Sequence, residues 1–359
     1  MAENKLRLDI LAQGENIRNV VTSLYGEERE RLEGAAQFLR NDLPINLVGV
    51  ASARYVCTLT EHFLSERGRF ARVITASDAI YSLSSVLKNA NIVINSRSGQ
   101  TAEIIKLAQL LVDEKIPFVA VTNEPGSQLA KLATYCVWSH ARPDDLVSIN
   151  VVTGMMTTTL ALAAAVVGEL DRQRALFEGL EGWMHDILLR AWKNTPDWQI
   201  LFNGLRPIYL LYRGYSKAAA QCGRLVLEEV ARTPAITLEA AEFRQGPNEV
   251  IDDRFGSVVF VPDGRQGELN LSLIHDILES GGRVLALGKV DSLAGHPDLR
   301  SLTIPTQIDH FFPILAVIPL QILAYTLAQS QGYSPGEVRY ITKVILSEEG
   351  IPRKDLSLQ

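Results

Sequence analysis

Three hydroxyls and a guanidinium fall within six residues at Ser96-Arg97-Ser98-Gly99-Gln100-Thr101. This segment directly follows the apolar run NIVIN and directly precedes AEIIKLAQLLVDE, whose apolar residues recur at helical spacing. Such a loop suits an anion, and phosphate above all. A helix N-terminus offers unpaired N–H groups and a partial positive charge, Arg97 adds a charged donor, and Gly99 lets the backbone approach closely. The same residues also make an ordinary strand-to-helix turn with a hydroxyl cap, so the loop by itself leaves both readings open. No cofactor motif accompanies it: the chain has neither a nicotinamide fingerprint nor Gly-x-x-x-x-Gly-Lys-Ser/Thr. The histidines show no metal-ligand spacing, and structural roles are expected for His62, His140, His185, His275 and His296. His310, in Asp309-His310-Phe311-Phe312, stays a candidate because it precedes a long apolar run. Neither a cofactor nor a metal is expected.

The elements that must position this loop occur twice. INLVGVAS (45–52) and RPIYLLYRGYS (206–216) are both apolar runs that break into small residues before a helical stretch. NIVINSRSGQTAE (91–103) pairs with GSVVFVPDGRQGE (256–268), and FVAVTNEPG (118–126) with RVLALGKVD (283–291). These pairs lie 164 to 166 residues apart, and two long apolar runs, Val151–Gly168 and Phe311–Ala328, lie about 160 apart. Short β-branched runs alternating with helical stretches imply a parallel sheet with helices on both faces, so the expected fold is α/β with two duplicated domains. Ligands in such sheets bind at the carboxyl ends of the strands, where strand order reverses. The matching second-half loop, Pro262-Asp263-Gly264-Arg265-Gln266-Gly267-Glu268, has no hydroxyl and carries acid where an anion would sit. One anion site, in the first half, explains that asymmetry.

Composition agrees with a chain of two compact domains. It has 359 residues, 47% hydrophobic and 21% charged, and 41 acidic against 35 basic side chains. A net charge of −6 excludes a basic nucleic-acid footprint and a polybasic membrane tail. Cys57, Cys136 and Cys222 are widely spaced and odd in number, which points to a reducing cytoplasm rather than a disulfide framework. The charged N-terminal stretch has no apolar core of a secretion signal. Both long apolar runs are short for a membrane span and lack flanking cation clusters, so buried helices at an interdomain or dimer interface are expected. The expected segments are a helical arm (1–40), a first domain with the phosphate loop (41–195), a second domain (196–330) and a C-terminal arm (331–359).

The 96–101 loop resembles the phosphosugar signature of the sugar isomerase (SIS) domain family, whose domains are flavodoxin-like. The double arrangement resembles the isomerase half of glucosamine-6-phosphate synthase. Supporting motifs are Thr-Asn-Glu-Pro-Gly-Ser (122–127), Leu-Glu-Ala-Ala-Glu-Phe-Arg-Gln-Gly-Pro (238–247), Pro-Leu-Gln-Ile-Leu-Ala-Tyr (319–325) and Arg-Tyr-Ile-Thr-Lys (339–343). About 40 residues precede the first strand and include no N-terminal cysteine nucleophile, so glutamine-derived ammonia is not an expected reactant. The resemblance points instead to the stand-alone amino-sugar phosphate deaminases, fructosamine-6-phosphate deglycases and phosphosugar isomerases.

That resemblance implies phosphate and sugar contacts at Ser52, Ser96, Arg97, Ser98, Thr101 and Ser148. It places the base for C1/C2 proton transfer at Glu229, next to Glu228. It puts at Lys343 the lysine of a C-terminal segment that closes over the sugar. The chain departs from the family in three places. Val50-Ala51-Ser52 replaces Gly-Thr-Ser, Ser148-Ile149-Asn150 replaces Ser-Thr-Lys, and Gln245 replaces the ring-opening histidine before Gly-Pro. Glutamine holds a sugar hydroxyl but cannot shuttle a proton near neutral pH. Three readings follow: a deglycase or deaminase, a simple aldose–ketose isomerase, or a phosphosugar sensor without turnover. The expected partners are a sugar 6-phosphate and a second copy of the chain, with neither nucleic acid nor membrane.

Overall fold

A computed structural model describes residues 4–340 and 342–350. The chain forms two compact units. One comprises residues 12–181 with 338–340 and 342–350, the other residues 4–11 with 182–337. The N-terminal arm is therefore divided: helix Lys5–Leu11 belongs to the second unit, and helices Gln13–Tyr25 and Arg29–Leu39 to the first. The described part of the C-terminal arm beyond Glu337 belongs to the first unit.

The first unit is built on five parallel strands: β1 (Ile45–Gly49), β2 (Ala71–Thr75), β3 (Asn91–Ser96), β4 (Val119–Thr122) and β5 (Tyr135–Trp138). Their order is β2-β1-β3-β4-β5, with Val48 opposite Ile74 on one side and Ile94 on the other. The second unit carries β6 (Ile208–Tyr212), β7 (Ala235–Glu239), β8 (Gly256–Val261), β9 (Arg283–Gly288) and β10 (Leu299–Leu302), in the order β7-β6-β8-β9-β10. The topology is the same in both units, and corresponding strands start 163 to 165 residues apart. This is the duplicated α/β fold expected from the repeat.

Burial explains why these segments read so clearly as strands. The central strands β1, β3, β4 and β8 are buried at every residue, because helices cover both faces of a parallel sheet. The edge strands β2 and β5 are partly exposed and correspondingly less apolar. On one face of the first sheet, Ile104, Leu107 and Leu111 of helix Ala102–Asp113 pack on Val48, Ile92 and Ile94. In the second, Leu273, Ile274 and Ile277 of helix Arg265–Glu279 pack on Leu211, Val259 and Ala286.

The two long apolar runs are core helices. Helix Asn150–Val166 is buried along its whole length. Its hydroxyls Thr157, Thr158 and Thr159 are satisfied by bonds of 2.9 Å to carbonyls one turn back. Helix Phe312–Ser330 has the length and composition to cross a membrane, yet 94% of its apolar window is buried inside the protein. It packs so closely on helix Lys217–Val230 that a Cβ at Gly223 would lie 2.2 Å from Leu320. Both helices are buried along nearly their whole length, where the sequence leads to the expectation of an interdomain or dimer interface.

Candidate functional site

In the first unit the strand order reverses between β1 and β3, so the loops after these two strands border one crevice at the carboxyl edge. The chain leaves β1 through Ala51, whose φ of 49° and ψ of −129° are glycine-like values for a residue with a side chain. Ser52 then opens helix Ser52–Glu66 and is half-buried. The helix packs so low over the strand end that a Cβ at Gly49 would meet the Arg54 nitrogen at 2.7 Å.

The loop after β3 is a closed, braced turn. Ser96 Oγ accepts from the Gly99 N–H at 3.1 Å, and Ser98 Oγ from the Gln100 N–H at 3.3 Å. The carbonyls of Arg97 and Gly99 are taken from outside the loop, by the N–H groups of Asn123 at 3.2 Å and Leu129 at 3.1 Å. Residues 122–129 thus brace the loop and engage its carbonyl ends. Gly99 has a φ of +58°, and a Cβ on it would lie 2.2 Å from Ser127 Oγ. No other residue fits there. Thr101 stands at the cap position of helix Ala102–Asp113, but its side chain makes no cap bond. A hydroxyl cap, the reading that would make this an ordinary turn, is therefore not what the threonine does.

Arg97 ties three segments together. Its guanidinium donates to the Leu146 carbonyl at 3.1 Å, to Ser148 Oγ at 2.8 Å, and to the Lys343 carbonyl. Ser96, Arg97, Ser98, Thr101, Ser148 and Lys343 all belong to the first unit, and Arg97 links the last two to the loop directly. The C-terminal segment follows helix Ala102–Asp113: the Ile345 carbonyl accepts from the Ala102 N–H at 3.0 Å, and Glu348 pairs with Lys106 at 3.3 Å. The Tyr81 hydroxyl and the Lys106 ammonium together lower the Glu348 carboxyl pKa. Beside this strap runs a groove of about 1060 Å³ that includes Gln100, Lys106 and Gln128. The Lys343 side chain is exposed, as is Arg339, whereas Ile341 lies outside the described residues.

At the corresponding strand ends of the second unit, side chains pair with one another. Arg213, after β6, donates to Glu239 at 3.0 Å and to Asn270 at 2.9 Å. Gly214, with a φ of 51°, occupies the strained position matching Ala51. The Gln266 side chain packs on it, so that a Cβ there would lie 2.4 Å from Gln266 Oε1. Helix Arg265–Glu279 seats against Pro262, whose carbonyl oxygen would lie 1.8 Å from a Cβ on Gly267.

Glu229 and Gln245 also belong to the second unit. Glu228 forms an ion pair at 3.0 Å with Arg224, one turn back on helix Lys217–Val230, whereas Glu229 is half-buried on another side of that helix. Gln245 is exposed on the turn after helix Ala240–Phe243. His310 packs against Phe311 and Tyr215 at ring separations of 4.9 and 6.1 Å. The structural roles expected of two other histidines are visible: His62 meets the Thr58 carbonyl at 2.8 Å and His140 the buried Glu28 at 2.9 Å. No group of three or more His, Cys, Asp or Glu among the described residues could hold a metal ion.

Asp144 escaped the sequence reading. Its buried carboxylate accepts from the N–H groups of Ile149, Asn150 and Val151 at 2.8, 2.9 and 3.0 Å, capping helix Asn150–Val166 from six residues upstream. A cap is sought at the residue before a helix, so nothing local announces one so far back.

Comparison with known proteins identifies the family and the fold. The SIS domain matches twice, at residues 54–165 and 203–330. Among curated proteins, the chain is 29% identical over 361 residues to the glutamine–fructose-6-phosphate aminotransferase (isomerizing) of Pyrobaculum aerophilum. It is 25% identical over 343 residues to that of Pyrococcus horikoshii. The alignments cover 95% and 93% of this chain but only 57% and 56% of those proteins, so the chain spans little more than half the length of the curated relatives it matches. Among solved structures, the C-terminal domain of glucosamine-fructose-6-phosphate aminotransferase from Francisella tularensis superposes with a TM-score of 0.78 at 20% identity. That match covers 92% of this chain and 97% of that one. Glucosamine-6-phosphate deaminase from Thermotoga maritima superposes with a TM-score of 0.77 at 18% identity, covering 95% and 99%. Two matched domains, two sheets of one topology and one braced hydroxyl loop lead to the same conclusion: the chain belongs to the SIS domain family, as a double-domain member.

Proposed function

We propose that the protein binds an amino-sugar or fructosamine 6-phosphate and moves a proton between its C1 and C2, after which water enters and an amine leaves with formation of a hexose 6-phosphate. The observation that carries this reading is the contrast between the two crevices. One presents a braced Ser/Thr loop with its carbonyl ends engaged, and at the other Gln266 packs on Gly214 and Arg213 pairs with Glu239. In this reading Ser98 and Thr101 hold the phosphate and Ser52 and Ser148 the sugar, and the family resemblance implies Glu229 as the proton carrier. Lys343 approaches the carbonyl, and no cofactor is needed. The three free thiols suit a reducing cytoplasm.

Saturation with glucosamine 6-phosphate tests the site. A hundredfold excess over Kd stabilises the fold by about 2.7 kcal/mol. Replacing Ser98 and Thr101 by Ala removes that gain, whereas Asp263→Ala or Arg265→Ala leaves it. Glu229→Gln removes turnover and spares binding, and the Arg224-paired Glu228→Gln spares both. Equal loss from the second-unit loop variants, or a dead Glu228→Gln with an active Glu229→Gln, would overturn the assignment. A sensor without turnover is the second reading, favoured by the carboxamide at Gln245.

A further inference from the structure

The three-way cap made by Asp144 does more than end a helix. Asp144 is 4% exposed, and besides the three backbone N–H groups it accepts from Asn150 Nδ2 at 3.0 Å. These bonds fold residues 144–151 back on themselves, and Ser148 lies inside that fold with its Oγ 2.8 Å from the Arg97 guanidinium. The opposite side is pinned by Asn16 of helix Gln13–Tyr25, which donates to the Asn150 carbonyl at 3.0 Å and accepts from the Arg142 N–H at 2.6 Å. Ser148 is thereby held against the phosphate-loop residue Arg97 by a carboxylate that itself lies away from solvent. A buried carboxylate is costly unless several donors meet it, and here all of them come from the segment that carries Ser148.

We propose, resting on the phosphosugar reading of this site, that Asp144 is a positioning residue for the sugar. By fixing residues 145–151 it sets Ser148 at the right distance from the Ser98 and Thr101 loop to recognise a sugar hydroxyl rather than the phosphate. Two probes separate the ends of the ligand: inorganic phosphate reports on the 96–101 loop, and glucosamine 6-phosphate on the loop and the sugar contacts together.

Calorimetric titration of wild type, Asp144→Asn, Ser148→Ala and the double variant tests this. Asp144→Asn and Ser148→Ala each weaken glucosamine 6-phosphate about tenfold and leave inorganic phosphate unchanged. The double variant is no weaker than Ser148→Ala, because both changes remove one function. Hydrogen exchange in Asp144→Asn shows faster exchange at Ile149, Asn150 and Val151 only. If Asp144→Asn does not fold, Asp144→Glu carries the same test, since it keeps the charge but displaces the loop by a methylene. Equal affinity of variant and wild type, equal loss for both probes, or full additivity in the double variant would overturn the role of Asp144 while leaving the site intact. Wild type that binds phosphate but no sugar phosphate would overturn the site reading and this inference with it.

Discussion

Gly99→Ala is a severe and selective lesion. The residue has a φ of +58°, which costs an L side chain about 1 kcal/mol. Its new Cβ would lie 2.2 Å from Ser127 Oγ and 2.6 Å from Ser127 Cβ, and Ser127 is 2% exposed with no room to withdraw. Ser127 also caps helix Gln128–Leu132 by accepting from the Ala130 N–H at 3.3 Å, a bond whose loss costs about 1 kcal/mol. With overpacking of about 1 kcal/mol or more, the total is about 3 kcal/mol. Moving the loop by about 1 Å to relieve the clash lowers sugar-phosphate affinity about a hundredfold. Two other glycines calibrate these effects. Gly264, in the matching second-unit loop, has a φ of +83° and a ψ of −164° but nothing within 4 Å of a Cβ, so Gly264→Ala costs about 2 kcal/mol of backbone strain alone and leaves binding unchanged. Gly126 has neither constraint, and Gly126→Ala is neutral to slightly stabilising. Urea midpoints and glucosamine 6-phosphate titrations on the three variants make the comparison. Gly99→Ala matching Gly126→Ala in both would refute the reasoning.

Gln245→His separates enzyme from sensor. Turnover of cyclic substrate rises by roughly 10²-fold or more with a new pH dependence between about 5 and 8, whereas a slower variant marks Gln245 as a recognition residue. Burial pushes the Cys57 thiol up to about 12, so stability is full below the unfolded thiol's pKa near 9 and falls as pH rises towards 12. Cys57→Ala loses that slope, and a persisting slope would show that another group carries it. The Glu348 carboxyl, held below its ordinary range by Tyr81 and Lys106, adds one exposed ion pair to the bonds that hold residues 343–350, and that contribution is lost as pH falls through the lowered value. Glu348→Ala therefore speeds proteolytic cleavage within residues 343–350 at pH 7, and unchanged cleavage would show that Arg97 and Ala102 alone hold the strap.

Much of this protein is legible in its residues because the signals are local. The central strands are apolar at nearly every position since both of their faces are covered, and the duplication follows from repeating that pattern about 164 residues later. The 96–101 loop stands out through its hydroxyls and Gly99, and the second-unit loop through the lack of them. Contacts between distant residues depended on tertiary structure. Periodicity assigns an amphipathic helix a buried face but not the partner it buries against, so Lys5–Leu11 joins the second unit while Gln13–Tyr25 joins the first. Arg97 reads as a phosphate donor in its loop, yet its guanidinium reaches Lys343, 246 residues away, and Ser148. The Ala102 N–H looks like an open helix end until the Ile345 carbonyl meets it. Asp144 looks like a loop carboxylate until the backbone turns Ile149, Asn150 and Val151 onto it. Each of these bonds needs donor and acceptor brought within about 3 Å by the register of whole elements, and no local run of residues encodes that register.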